Sequence, residues 1–135
     1  MKSDAKYKLH RYIESENLTS VLNNTKWNRL FSELKSIGCY IDFQRKDLDE
    51  EFTDHEYWCS DIYNVFGGWE HIEWLNIRAL TFHRRGALVK PKIEDNIQLL
   101  IKAISNSGVP YCKHGDGVRV YGYLRIGVSP EWVTT

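Results

Sequence analysis

Between Trp27 and Phe43 the spacing of apolar residues changes from the period of a helix to the period of a strand. Trp27, Leu30, Phe31, Leu34 and Ile37 recur at i, i+3, i+4, i+7 and i+10, which places them on one helical face. Asn24 or Thr25 is suited to cap the start of this helix, and Gly38 stands where a left-handed residue would end it. Cys39, Ile41 and Phe43 then alternate with Tyr40, Asp42 and Gln44, the pattern of a half-buried strand. A one-sided helix followed at once by a one-sided strand can bury both faces only by laying helix upon sheet.

The rest of the chain extends that layer. Residues 4–16 place Ala5, Leu9, Tyr12 and Ile13 on one face of a short N-terminal helix, within a helical segment spanning 1–16. Residues 47–56 have no clean period and read as a loop or frayed helix, and 57–66 as a strand ended by Gly67-Gly68. Ile72, Trp74 and Asn76 oppose Glu73, Leu75 and Ile77 in a further strand. Residues 79–90 suggest a hairpin about Arg84-Arg85-Gly86 with Phe82 and Leu88 inside. Ile93, Ile97, Leu100, Ile101 and Ile104 mark a second amphipathic helix, stopped by Gly108 with Pro110 beyond it. Val109–Lys113 and Val118–Arg125 bracket Asp116-Gly117, a type I′ hairpin signal. Residues 129–135 read as a loose tail.

The expected fold is therefore α+β, a single domain over 1–135. A mainly antiparallel sheet of about five to six strands is packed by two main helices and the short N-terminal helix. A hydrophobic fraction of 42% with 13% aromatics suits a folded core rather than a disordered chain. No run approaches the length of a membrane span, and the N-terminus has no apolar signal-peptide core, so a reducing cytoplasm is expected. Three cysteines at scattered positions are no disulfide framework. The sequons at Asn17 and Asn23 then read as chance or as helix-cap chemistry.

Charge is segregated within a chain of zero formal net charge. Residues 42–63 hold eight acids against two bases, interleaved with Phe43, Phe52, Tyr57, Trp58 and Tyr63. Residues 78–92 hold five bases (Arg78, Arg84, Arg85, Lys90 and Lys92) and no acid. Acids set among aromatics suit the grip of a basic protein surface, since charge complementarity speeds encounter and aromatic anchors slow release. Asp47, Asp49, Glu50, Glu51, Asp54, Glu56, Trp58 and Asp61 form the candidate contact set. Trp27 and Trp74 fall on periodic faces and belong to the core, whereas Trp58 and Trp69 are candidate exposed anchors or covers for a sheet edge. The two charged segments would compete for each other if they pair within the fold or across a homodimer.

Reaction chemistry finds little footing. His55, Cys59, Cys112 and His114 offer zinc-compatible donors, but their spacings match no common zinc module, and no metal or cofactor is assigned. A Cys–His–Asp set can be drawn from Cys59, His55 and Asp61, yet no nucleophile motif surrounds it, and nearby acids would raise the thiol pKa. The glycines form no phosphate cradle. Arg78, Phe82, Arg84, Arg85, Lys90 and Lys92 could track single-stranded nucleic acid, although the neutral chain lacks the usual net basic charge.

The segments 24–30 (NTKWNRL), 71–77 (HIEWLNI) and 117–123 (GVRVYGY) resemble a family of small uncharacterised bacterial α+β proteins. In size and texture these are similar to the immunity proteins of contact-dependent inhibition and other polymorphic toxin systems. The resemblance spans about 24–123 and brings no catalytic residues with it. It implies a non-enzymatic protein that blocks a cognate toxin with a basic cleft, without membrane, nucleic acid or cofactor.

Overall fold

The computed structural model describes residues 2–37, 41–48, 69–78, 80–83, 86–90 and 92–133. The helix predicted from Trp27 to Ile37 is α2 (Asn24–Ser36), after a first helix α1 (Lys2–Ser15). Its cap is Asn23 rather than Asn24 or Thr25. Asn23 is in extended backbone, and its side-chain oxygen accepts the Lys26 N–H at 2.9 Å, satisfying one of the helix's orphan donors. One sequon is thus helix-cap chemistry. Asn17 of the other has φ 50°, and bonds from Leu18 N to Ile13 O and from Asn17 N to Glu14 O close α1 in a Schellman turn.

The main sheet is antiparallel throughout its described strands. β2 (Asp42–Asp47) pairs with β3 (Ile72–Arg78), β3 with β7 (Gly117–Tyr121), and β7 with β6 (Cys112–His114). Two ribbons stand beside it: β1 (Thr19–Ser20) with β8 (Tyr123–Leu124), and β4 (Leu80–His83) with β5 (Lys92–Asp95). The α+β class, the single domain and the antiparallel pairing are as the sequence predicts. The described strands are divided between a main sheet of four members and two two-stranded ribbons. The strand expected at 57–66 lies outside the described residues, as do Gly38, Cys39 and Tyr40.

Helices α2 and α3 (Ile97–Ser107) pack together over one face of this sheet. Trp27, Leu30, Phe31 and Leu34 from α2, and Leu100, Ala103 and Ile104 from α3, meet Phe43, Leu75, Ile77, Val118 and Val120. Strand β3 departs from simple alternation. Lys46 pairs with Trp74 but the next residue, Asp47, pairs with Ile72, which leaves Glu73 as an extra residue. The irregularity turns Ile72 into the helix-side core while Glu73 and Trp74 interact with groups on the other face. Residues 72–77 are buried without a break, so β3 is covered on both faces.

Gly122 makes the close approach that this arrangement needs. A Cβ there would lie 2.2 Å from the Ile72 carbonyl oxygen, and the Gly122 N–H donates to Glu73 O at 2.8 Å. The glycine also interrupts the expected continuous strand 118–125, so its last residues pair with β1 instead of β3.

Four local expectations are corrected. Leu88 is not inside a tight hairpin at 79–90: it is fully exposed, and β4 reaches past it to pair with β5. Ile93 is not the start of the second helix but a strand residue opposite Phe82. Helix α3 begins at Ile97, where the Asp95 side chain accepts the Ile97 N–H at 3.0 Å, and ends as predicted at left-handed Gly108. The β6–β7 turn pairs His114 with Gly117, so Gly115 and Asp116 are its central residues. Only Gly115 of these two has positive φ, whereas a type I′ turn requires it at both. Finally, the expected loose tail is tied down as far as Val133, whose N–H donates to Tyr111 O at 2.9 Å, while Trp132 meets Tyr121 edge-on.

Candidate functional site

Of the predicted contact set, Asp47 is the member that the described residues include; Asp49, Glu50, Glu51, Asp54, Glu56, Trp58 and Asp61 lie outside them. Asp47 belongs to a strand, not to a loop or frayed helix, because β2 continues through the start of the acidic stretch. Arg45 sits two residues earlier on the same side of the strand. Its guanidinium grips the Asp47 carboxylate through both Nε and Nη2, the latter at 3.0 Å. The Asp47 side chain is half-buried and already engaged at home.

Next to it lies a corner that sequence reasoning did not single out. The buried Glu73 carboxylate accepts from Lys46 Nζ at 2.7 Å and from Arg125 Nη2 at 2.8 Å. Arg125 also donates to the Tyr12 hydroxyl and to Leu48 O, tying α1, β2, β3 and the end of β8 together. Burial alone would raise the Glu73 pKa, but the hydrogen bonds and charges of Arg125 and Lys46 outweigh it and hold it below the usual 4.5. Every named charge is paired, so this corner is a structural clamp. No local sequence signal could find it, since Glu73 and Arg125 are brought together only by the fold.

The same sheet face carries a second polar row. Arg119 lies 3.9 Å over the Trp74 ring and donates to Asn76 Oδ1 at 2.7 Å, and Asn76 donates to Gln44 at 3.3 Å. Cys112 and His114 both face Arg119, as their spacing on a strand predicts. A guanidinium in that position opposes a metal cation. Desolvation pushes the buried Cys112 thiol above its usual pKa, which disfavours the thiolate. Among the described residues no group of three metal-ligating side chains converges. His55, Cys59 and Asp61 lie outside the described residues.

Trp69, a candidate anchor, is instead attached to the core's edge. It stacks on Phe31 at 4.5 Å between centroids and donates to Asn28 at 3.0 Å. Trp27 and Trp74 are buried as expected.

The basic segment divides. Arg78 pairs with Asp116 across the β6–β7 turn at 3.3 Å. Arg84 and Arg85 lie outside the described residues, and the side chain of Phe82 is likewise not described. Lys90 and Lys92 are exposed on the β4–β5 ribbon. Among them stand Leu88, Val89 and Ile93, respectively 100%, 51% and 58% exposed. Three large aliphatic side chains of β5 and the segment before it therefore stand in water.

Fold and surfaces together define a small helix-on-sheet domain with a firmly clamped sheet and, beside it, a ribbon that exposes apolar side chains among charges of both signs. The chain belongs to the DUF6678 family, a family of unknown function whose model matches residues 9–127. No curated protein and no solved structure matches it. Among the described residues no helix is long and apolar enough to cross a membrane.

Proposed function

We propose that the chain is a non-enzymatic binding protein that neutralises a cognate protein toxin by covering it. The observation that carries the binding part is the ribbon of β4 and β5, with Leu88, Val89 and Ile93 in solvent. Folding gains nothing from apolar groups left in water, whereas association does. The acid and aromatic residues of 49–61 supply the second part: their composition suits a cationic cleft such as that of a nuclease toxin. The two segments act at opposite ends of the affinity problem, the acids on encounter and the apolar ribbon on residence. Expression of the chain with the product of the reading frame beside its gene tests the proposal. Protection of the cells, lost on reversing the charges of Asp49, Glu50 and Glu51, supports it; undiminished protection by that variant removes the acidic surface from the interface.

A second reading has one observation in its favour. Lys90 and Lys92 are exposed on the same ribbon, as a contact to nucleic-acid phosphates would need. Binding of a single-stranded oligonucleotide that weakens steeply with salt, and that Lys90→Ala with Lys92→Ala abolishes, would favour it over the first.

A further inference from the structure

A cavity of about 350 Å³ opens between α3 and the β6–β7 hairpin. Its volume falls at the small end of the range of ligand pockets. Ile97 and Ile101 of α3, Val118 of β7 and Val133 of the C-terminal segment make an apolar wall. Tyr111 lines it too. That side chain is only 4% exposed, and its hydroxyl is the one buried side-chain polar atom among the described residues that meets no hydrogen-bond partner. A buried hydroxyl left unpaired costs about 1–3 kcal/mol, a cost that a ligand's acceptor atom would remove.

The charges at the mouth differ in how they are used. Asp95 is occupied at the N-terminus of α3, and Asp116 is paired with Arg78. Lys113 of β6, two residues beyond Tyr111 and lining the same cavity, is exposed and makes no ion pair among the described residues. The cavity is therefore lined by apolar side chains, by Tyr111 with its unpaired hydroxyl, and by one uncommitted cation. We propose that it binds a small, mainly apolar molecule ending in a carboxylate, with the apolar body on α3 and Val118 and the carboxylate held by Tyr111 and Lys113. This site needs no protein partner and stands or falls apart from the ribbon.

Octanoate is the probe, titrated into the full ¹⁵N-labelled chain, with 1-octanol and octylamine as neutral and cationic controls. Octanoate should shift amides within 97–101 and 111–118 and bind at least fivefold more tightly than octylamine. Tyr111→Phe should weaken octanoate about three- to tenfold, the value of one hydrogen bond. It should leave the thermal midpoint unchanged or raised, since no hydrogen bond is lost. Lys113→Gln should erase the preference for octanoate over octanol. The proposal is overturned if millimolar octanoate moves no amide of these segments, or if octylamine binds as tightly. It is equally overturned if Tyr111→Phe leaves octanoate affinity intact, or lowers the midpoint by revealing a hydroxyl already partnered.

Discussion

Strands β3 and β5 both lie in antiparallel pairs, yet one is buried from Ile72 to Ile77 and the other is exposed from Lys92 to Asp95. Strand β3 has a partner on each side and side chains covered on both faces. Strand β5 has β4 alone as its described partner. The difference teaches that strand geometry and strand function are separable here. β3 buries its apolar residues in the fold, while β5 and the segment before it leave Ile93, Leu88 and Val89 in solvent, where the proposed partner would cover them.

The comparison breaks first at its isoleucines. Ile77→Ala should lower stability by about 2–5 kcal/mol, the cost of emptying a buried aliphatic site, measured by the urea midpoint. Should it cost under 1 kcal/mol, β3 is not the centre of the core. Glu73→Ala comes next, at about 2–3 kcal/mol, because it strands Lys46 and Arg125. The effect stays below that of a wholly buried pair since the Arg125 side chain is 30% exposed. Gly122→Ala should cost about 1–3 kcal/mol, as its Cβ must displace the Ile72 carbonyl.

The pH dependence sharpens the same contrast. A carboxylate whose folded pKa is depressed contributes stability that is fully present above its unfolded value. For Glu73 that contribution should begin to fall below about pH 4.5 and vanish as the pH drops through the lower folded value. Urea midpoints of wild type and Glu73→Gln should therefore converge over that acid window. Divergence there would reverse the sign assigned to the clamp. Ile93→Ala is the smallest effect, within about 0.5 kcal/mol, because most of that side chain is already in water.

Much of the scaffold was legible because its signals are local. The periodicity of Trp27 to Ile37, the stop at Gly108 and the β-favouring run from Val118 each depend on neighbours in sequence. What was not legible depends on pairing. Ile93 is four residues before Ile97 and fits a helical face, but β4 recruits it into a strand; Asp95 was the better start signal. Nothing in HIEWLNI announces that Glu73 is an extra residue in the β2–β3 register, so Ile72 was assigned to the wrong face. The candidate contact set was read from composition, which identifies a chemistry and not a place. Its described member, Asp47, proved to be held by Arg45.

The central claim is that the ribbon is kept apolar for a partner. The most direct test is survival of cells that express the product of the reading frame beside this gene. They would carry either the wild-type chain or Leu88→Ser, Val89→Thr, Ile93→Thr. The account predicts that wild type protects and that the triple variant, folded with an unchanged urea midpoint, does not. Equal protection by the folded variant would contradict it.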